Sequence, residues 1–360
     1  MKLKTTLFLF WIASGVFINS AVAQNKKKEW ETRALYLSPG VLCDTNKVNH
    51  FIALTKKSLV NSYVINAKGE EGLVTYDSKI FTVRNTKACK KVYDISQLIR
   101  KFHQNHIHVI ARVVCFNDPY LPELKKEWAL KRKNGELYQS TEGVTWLNPV
   151  NKQVWKYLVD IAKESLTKGF DEIQFDYVRF PYDDTKGEFD FGEKVETRHT
   201  FIDSFLAYAR NQMPKAILSA DVFGIICQSV NDPENIGQNL EYVGKNLDFI
   251  SPMLYPSLYT KGQIIKGDTF PKPDLKPYGV VYNSLMNAKN RIALVKNYHA
   301  KIRPYLQAYT ASWLNKEDFQ IYGAEQMKQQ IKAANDAGCD QWIFWNEEGN
   351  YPENGFMQNR

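Results

Sequence analysis

Three polar residues alternate with apolar residues in one short segment of the chain. The segment Asp171–Phe180 places Glu172, Gln174 and Asp176 on one side of an extended strand, because side chains change sides at every residue. The residues between them are apolar or aromatic and fit the opposite, packed side. Three polar side chains on a buried face are costly unless they are paired. This face of the strand is therefore predicted to carry function.

A second carboxylate lies on the next predicted strand, Ile217–Gly224, where Ser219 and Asp221 share the inward face. Arg112 interrupts an otherwise apolar strand and is a natural buried partner for one of the two aspartates. A close cation favours the ionised form of its partner, whereas burial and like-charge repulsion favour the protonated form of the other. The cleavage of a glycosidic bond requires one ionised and one protonated carboxyl group. The alternative is a structural ion network that fills the interior of the fold.

The strands that position these residues recur along the chain. Short apolar runs alternate with stretches of helical periodicity, in which residues such as Val154, Leu158 and Ile161 share one face. Strands separated by helices pair in parallel through right-handed crossovers. Eight such runs predict an α/β fold, a single-domain (β/α)8 TIM barrel with extended βα loops and an active site at the C-terminal ends of the strands. The predicted strands are Arg33–Ser38, Ser62–Ala67, His108–Phe116, Asp171–Phe180, Ile217–Gly224, Asp248–Tyr255, Pro304–Thr310 and Gln341–Asn346.

Aromatic, amide and charged residues cluster near the predicted C-terminal ends of the strands. Aromatic faces beside amides suit the stacking and hydrogen bonding of sugar rings. For any one residue core packing is the simpler explanation, and only the grouping favours binding. The candidate substrate-binding residues are Tyr36, Lys68, Gln174, Arg179, Tyr255, Gln307, Trp345, Asn346 and Glu347.

The first residues have the composition of a secretory signal peptide. Two early lysines precede an apolar run over residues 7–18, and Ala21-Val22-Ala23 supplies the small residues of a cleavage site after Ala23. The apolar run is shorter than the roughly 20 residues of a membrane span. We therefore expect a secreted or periplasmic protein without stable membrane insertion. The predicted organisation is a signal peptide (1–23), a short basic segment (24–30), the barrel (31–352) and a C-terminal tail (353–360).

Charge and cysteine usage exclude other classes of protein. The net charge of +8 is spread along the chain, and no basic run with interleaved aromatics occurs beyond Lys26-Lys27-Lys28, so no nucleic-acid partner is expected. Five cysteines without a C-x-x-C spacing argue against zinc and leave at least one thiol unpaired. A single bridge between Cys43 and Cys89 is an open alternative.

Three histidines, His103, His106 and His108, have a spacing that suggests a metal. They fall at the beginning of the third strand, the end opposite the active face of a barrel, and a solvated turn is the better explanation. Neither a G-x-S-x-G elbow nor a P-loop occurs in the sequence. We therefore expect no metal and no cofactor, and nothing in the sequence indicates an oligomeric state.

The segment Gly169–Pro181, GFDEIQFDYVRFP, closely resembles the hallmark of a bacterial family of glycosyl hydrolase-type domains, a domain family of unknown function. Further segments match the family pattern in the same order, among them SADVFG at 219–224 and ISPMLYPS at 250–257, and the match runs from about Ala34 to Tyr351. The resemblance implies a glycosidase-type barrel related to the α-amylase clan. It also implies that Asp176 takes the place of that clan's strand-four catalytic carboxylate and that Asp221 lies near its acid on strand five.

Departures from the family pattern bear on activity. The acid of the clan is usually glutamate, whereas Asp221 is an aspartate. On strand two the family tends to read VIDVKD, whereas this chain reads VINAKG at 64–69, so that Asn66 and Gly69 replace two acids. Loss of an essential acid would impair the enzyme or change its substrate. Glu347 and Glu348 are nearby acids that could compensate.

The residues together favour a secreted hydrolase that cleaves glycosidic bonds of a polysaccharide, with Asp176, Asp221 and Arg112 as its catalytic group. A non-catalytic glycan-binding barrel is the first alternative, and Asn66 supports it. A metal-dependent deacetylase on the same barrel is the second, but no suitable set of His and Asp ligands can be assembled from the sequence.

Overall fold

The structure, a computed structural model, describes residues 30–182, 189–190 and 197–357. The predicted signal peptide lies outside the described residues, as do most of the basic segment and the last three residues. The fold described below is that of the compact unit that begins at Thr32. No helix in the described part of the chain is long and apolar enough to cross a membrane.

Eight parallel strands in the described residues form a closed barrel, as predicted. The strands are β1 (Arg33–Leu37), β2 (Ser62–Lys68), β3 (His108–Val114), β4 (Glu172–Asp176), β5 (Ile217–Phe223), β6 (Phe249–Leu254), β7 (Tyr305–Gln307) and β8 (Trp342–Trp345). Each strand pairs with the next in parallel, and β8 pairs with β1 to close the sheet. All eight predicted strands are therefore confirmed in order and type.

Helices join consecutive strands and cover the outside of the barrel. The longer helices are Thr45–Thr55, Ile95–His103, Lys152–Lys168, Arg198–Gln212, Pro277–Ile292 and Ala324–Asp336. The shorter α-helices are Pro39–Leu42, Phe81–Thr86, Leu121–Leu124 and Leu240–Val243. Turns of 3-10 helix cover Gly224–Cys227, Pro256–Leu258, Pro273–Leu275 and Glu353–Gly355. Two small antiparallel pairs join Lys131–Arg132 to Phe189–Asp190 and Gln263–Ile265 to Asp268–Phe270.

The helix Lys152–Lys168 shows how the sequence specifies this outer layer. Its residues Val154, Leu158 and Ile161 recur at helical spacing and are completely buried, as predicted. Burial of each such side chain stabilises the fold by about 1.5–3 kcal/mol. The helix ends at Gly169, whose φ of +113° is a backbone angle that glycine adopts without strain.

The core continues past residue 352, where the sequence placed the end of the barrel. Phe356 is completely buried, and its ring lies 5.8 Å from the ring of Trp342 and 5.1 Å from that of Phe344. Residues 353–357 therefore pack as part of the barrel.

The polar residues of β4 point into the barrel, as predicted from their alternation. Phe175, which lies between them, faces outward, and its ring lies 5.4 Å from that of Phe205 on a covering helix. Gln174 faces inward and accepts a hydrogen bond from the hydroxyl of Tyr305 at 3.2 Å. Asp176 follows on the same face at the C-terminal end of the strand. The register of β4 therefore brings Asp176 to the mouth of the barrel.

Glu172 and Arg303 form a fully buried ion pair deeper in the barrel. Nη1 of Arg303 donates to Oε2 of Glu172 at 3.1 Å, and the hydroxyl of Ser219 donates to Oε1 at 2.5 Å. Burial raises the pKa of Glu172, but the charge of Arg303 and a hydrogen bond to His108 outweigh burial and lower it to about 2. Because its carboxylate is satisfied by these groups, Glu172 has a structural role.

The strand pair β6–β7 is interrupted by prolines. Pro252 lies within β6, and Pro304 lies between β7 and the two-residue strand Lys301–Ile302, which pairs with the first residues of β6. Proline has no backbone N–H to donate to a sheet, so a ladder that contains it is weaker. Only Tyr305 and Leu306 of β7 are in register with β6.

Glu172→Gln should lower the free energy of unfolding by about 3–5 kcal/mol, because the substitution leaves the buried Arg303 without its counter-charge. Urea unfolding measures the difference. Asp160→Asn is the control, since it removes only the exposed pair with Lys156, and it should stay within about 1 kcal/mol of wild type. Equal effects of the two substitutions would contradict a structural role for the buried pair.

Candidate active site

A cavity of about 540 Å³ opens at the C-terminal ends of the strands. Asp176 of β4 and Asp221 of β5 both line it, and Tyr255, Tyr305 and Trp345 contribute aromatic surface from the ends of β6, β7 and β8. This is the end of a TIM barrel at which active sites occur. The structure therefore brings the two predicted carboxyl groups into one cavity.

Arg112 of β3 crosses the base of this cavity and is 2% exposed. Its Nε and Nη2 atoms lie 2.8 and 2.5 Å from Oδ2 of Asp176. Nη1 donates to Oδ1 of Asn66 at 3.1 Å, and Nη2 donates to Oε1 of Glu70 at 2.7 Å. Burial lowers the pKa of Arg112, but the charges of Asp176 and Glu70 outweigh burial and raise it well above its usual range. Arg112 therefore carries a permanent charge beside Asp176, as predicted from the sequence.

Asp176 is held by its own backbone as well as by Arg112. The chain leaves β4 at Tyr177 with a φ of +48°, a left-handed angle that is unusual for a bulky residue. At this turn the amide of Tyr177 donates to Oδ1 of Asp176 at 2.6 Å. Backbone strain of this kind concentrates at functional sites. Since Oδ1 and Oδ2 both accept hydrogen bonds from donors, the environment suits a carboxylate ion.

Asp221 lies in the opposite environment. It is 1% exposed, and its Oδ1 has no hydrogen-bond partner among the described residues. Burial raises the pKa of Asp221 well above its usual range, and the charge of Asp176 raises it further, against the weaker effect of Arg112. A buried carboxyl group without a donor is stable only in its protonated form. Asp176 is therefore an ion-paired carboxylate, whereas Asp221 is a buried carboxyl group whose pKa is raised.

Glu70 is a site residue that the sequence reasoning missed. It follows β2, lines the cavity, and bonds Arg112 while its side chain remains 46% exposed. The pairing of β2 with β3 shifts between Asn66 and Lys68, so the spacing of residues beyond that point does not follow strand alternation. The acidic pair Glu70-Glu71 directly after a predicted strand was the available signal. Glu70 directly follows Gly69, one of the two positions at which the chain departs from the family pattern.

Three predicted binding residues line the main cavity: Arg179, Tyr255 and Trp345. The guanidinium of Arg179 lies 4.4 Å from the ring centre of Phe223 and 4.9 Å from that of Trp146. Burial lowers the pKa of Arg179 to about 10. Among the described residues its charge faces these aromatic rings, and Nη1 donates to the carbonyl oxygen of Phe180 at 2.9 Å.

Two further predicted residues, Tyr36 and Glu347, line a second cavity of about 390 Å³. Tyr36 stacks on Trp345 with ring centres 3.9 Å apart, and its hydroxyl accepts from Nδ2 of Asn66 at 3.1 Å. Burial raises the pKa of Glu347, and the charge of Glu70 raises it further. Glu70 lines both cavities, so they meet at this residue.

The structure does not bring Lys68 or Gln174 to the cavities. Lys68 is completely buried, and its Nζ lies 2.9 Å from both Oδ2 of Asp118 and the carbonyl oxygen of Val114. Gln174 is also completely buried, with its Oε1 bonded to Tyr305. Protein partners thus occupy Lys68, and the barrel interior encloses Gln174.

Gln307 and Asn346 are likewise removed from the cavities by internal hydrogen bonds. Nε2 of the completely buried Gln307 donates to Oδ1 of Asp274 at 3.0 Å, and its Oε1 accepts from the amide of Ser257 at 3.1 Å. Nδ2 of Asn346 donates to the carbonyl oxygen of Ala308 at 2.7 Å. Both amides therefore bond to the loops at the C-terminal end of the barrel.

The histidines do not line either of the two cavities, whereas Cys43 lines the second cavity. Nε2 of His103 is 2.9 Å from Oδ2 of Asp171, and His108 is buried beside Glu172 rather than solvated as expected. The described residues contain no group of three or more His, Cys, Asp or Glu side chains that could hold a metal ion. None of the five cysteines, all of which lie in described residues, forms a disulfide, so Cys43 and Cys89 are not bridged.

The barrel is similar to solved structures of glycoside hydrolases. The PgaB (BpsB) glycoside hydrolase domain from Bordetella bronchiseptica has a TM-score of 0.59 at 12% identity, over 88% of this chain and 94% of that one. The spore cortex-lytic enzyme SleL from Bacillus cereus has a TM-score of 0.53 at 10% identity, over 90% of this chain and 72% of that one. A hypothetical protein from Ruminiclostridium thermocellum is 44% identical over 52% of this chain and 97% of its own, with a TM-score of 0.49.

The fold is thus that of a glycoside hydrolase-like TIM barrel. The chain belongs to the family described as "Putative glycosyl hydrolase domain", whose sequence model matches residues 34–351. The family resemblance identified from the sequence is confirmed. The comparison with curated proteins gives no match.

The raised pKa of Asp221 predicts that the folded state loses stability as the pH rises. Both states are protonated below the unfolded value of about 3.9, and above it the unfolded chain alone releases the proton until the raised folded pKa is reached. Asp221→Asn imitates the protonated form, so its melting temperature should exceed that of wild type increasingly as the pH rises from about 4 to 8. Thermal unfolding over this range measures the difference.

Asp160→Asn, an exposed aspartate exchanged in the same way, is the control and should follow the wild-type pH profile. Parallel profiles for wild type and Asp221→Asn would contradict a protonated Asp221 in the folded state.

Proposed function

We propose that this protein is a glycoside hydrolase that cleaves O-glycosidic bonds of a polysaccharide with Asp176 and Asp221. One observation carries the proposal: two aspartates line the same cavity in opposite environments, Asp176 paired with Arg112 and Asp221 buried with an oxygen that has no donor among the described residues. Pairs of carboxyl groups whose environments separate their protonation states are characteristic of glycosidic bond cleavage. Membership of a glycosyl hydrolase-type family supports the same reaction.

In the proposed reaction Asp221 is the general acid. Its proton passes to the glycosidic oxygen as the bond between that oxygen and the anomeric carbon breaks, so that the leaving sugar departs as a neutral alcohol. Asp176 faces the positive charge that develops at the anomeric carbon. It acts either as the nucleophile or as the base that activates water, and water supplies the hydroxyl group that replaces the leaving sugar. If Asp176 is the nucleophile, the second proton of that water returns directly to Asp221; if Asp176 is the base, it accepts this proton, and exchange with solvent restores both groups.

Arg112 is proposed to keep Asp176 ionised and in position through its two contacts with Oδ2. Asn66 accepts from Nη1 and Glu70 accepts from Nη2 of the same guanidinium, so they fix its orientation. Glu70 thereby takes over the position of the family acid that this chain lacks. A barrel that binds glycans without cleaving them is the alternative, because Asn66 stands where the family has an acid.

The site is proposed to act outside the cytoplasm, as a secreted or periplasmic protein. The charged start, the apolar run and the Ala21-Val22-Ala23 cleavage site support this proposal. The proposed substrate is accordingly a polysaccharide of the envelope or of the extracellular matrix. Release of reducing ends from a panel of bacterial glycans tests the activity, and binding without release would instead establish the glycan-binding alternative.

Asp176→Asn should abolish turnover while the fold and glycan binding remain, because the amide keeps the shape of the carboxylate and removes its charge. Reducing-end release and binding calorimetry on the same glycan measure the two effects. Asp190→Asn, an exposed aspartate outside the cavity, is a matched control and should retain full activity. Full activity of Asp176→Asn would show that β4 does not supply the catalytic carboxylate.

Asp221→Asn should affect substrates according to their leaving groups. A poor leaving group needs the proton of a general acid, so cleavage of a natural glycan should fall by about 10²–10⁴-fold. An activated aryl glycoside departs without that proton and should lose far less activity. Steady-state kinetics with both substrates compares the two losses, and equal losses would assign Asp221 a role other than general acid.

A further inference from the structure

The rim of the main cavity carries three aromatic rings in succession. Tyr255 lines the cavity, and its ring lies 5.8 Å from that of Tyr309 in an edge-on arrangement. The ring of Trp313 lies 5.7 Å from that of Tyr309 at an interplanar angle of 30°. The hydroxyl of Tyr309 is 3.3 Å from that of Ser257, which fixes the middle ring. The three rings thus form a path from the cavity to the outer surface.

The loop that carries Trp313 is anchored on both sides. Thr310 accepts a hydrogen bond from the amide of Tyr322 at 3.0 Å through its hydroxyl. On the other side of Trp313, Asp318 forms ion pairs with Lys261 and Lys272. The indole is therefore presented by a tied loop rather than by a free chain end.

The outer ring remains largely exposed although it lies beside Tyr309. Trp313 is 63% exposed, so most of its apolar surface faces water. Leu258, which lines the cavity, is also 63% exposed and extends the apolar surface at the rim. Exposed apolar surface that continues from a ligand cavity marks a binding site more often than an accident of folding.

We propose that Tyr309 and Trp313 form an outer subsite that binds sugar rings of a glycan chain as the chain leaves the cavity. The inference rests on the proposed function and deepens it, since it assigns the site to chains longer than the cavity alone can hold. The C–H face of a sugar ring is apolar and packs on an aromatic face, while its edge hydroxyls stay in water. The tied loop keeps the indole in place before the ligand arrives, which lowers the entropic cost of binding.

Trp313→Ala should raise KM for long chains about tenfold, the equivalent of one lost aromatic contact, and leave kcat unchanged. KM for short aryl glycosides should not change, because these ligands end within the cavity. The probes are aryl glycosides, disaccharides and hexasaccharides of the malto-, cello- and chito-oligosaccharide series. Trp313→Phe should recover most of the long-chain affinity. Tyr242→Ala is the control, since Tyr242 is exposed on the helix Leu240–Val243, which leads to the N-terminal end of β6.

The outcomes separate the subsite from the proposed reaction. A rise in KM confined to hexasaccharides supports the subsite. An unchanged KM for hexasaccharides that wild type cleaves overturns the subsite and leaves the hydrolase proposal in place. Hexasaccharides that bind without cleavage, and bind less to Trp313→Ala, support the subsite and overturn the hydrolase proposal. Failure of wild type to bind any probe by calorimetry overturns both.

Discussion

A single buried guanidinium organises the mouth of this barrel. Arg112 is almost fully enclosed, and a buried cation is stable only when acceptors surround it. The acceptors come from two directions: Asp176 at the end of β4, and Asn66 and Glu70 from β2 and the loop after it. Tyr36 and Trp345 place their rings within 5.6 and 5.0 Å of the same charge. The positions of both cavities therefore depend on the residues that neutralise the charge of Arg112.

Asp176 and Asp221 are residues of the same type that lie in two different environments within one cavity. Asp176 has donors for both oxygens, whereas Asp221 has a buried oxygen with no donor among the described residues. The charge of Asp176 also raises the pKa of Asp221, because a second negative charge beside it is unfavourable. Glu172 on the same strand as Asp176 is ionised too, but its partners enclose it completely. Access to the cavity, rather than charge, separates the candidate catalytic residue from the structural one.

Much of this arrangement could be predicted from the sequence because strands obey a strict alternation. The alternation in β4 identified the inward face, and equivalent positions on β3 and β5 placed Arg112 and Asp221. The roles of Lys68 and Gln307 could not be predicted, since their partners Asp118 and Asp274 are distant in sequence and only the fold brings them near.

Glu70 lies beyond the end of regular pairing, where the path of the loop decides which way a side chain points. Alternation carries no information there. The inward-facing carboxyl groups on the strands were therefore predictable, whereas Glu70 on the loop after β2 was not.

Because of the prolines at the β6–β7 pair, the strands of the barrel do not separate equally readily at every ladder. A closed sheet has no free edge, so its weakest ladder decides where strands first separate. Pro252 lacks an N–H group, and on this side β6 pairs with two separate segments of two residues each, Lys301–Ile302 and Tyr305–Leu306. Amide hydrogens next to this seam should exchange with solvent faster than those of the β2–β3 ladder, which six pairs of residues hold in register. We therefore expect the wall of the cavity that carries Tyr255 and Tyr305 to open more readily than the β2–β3 side of the barrel.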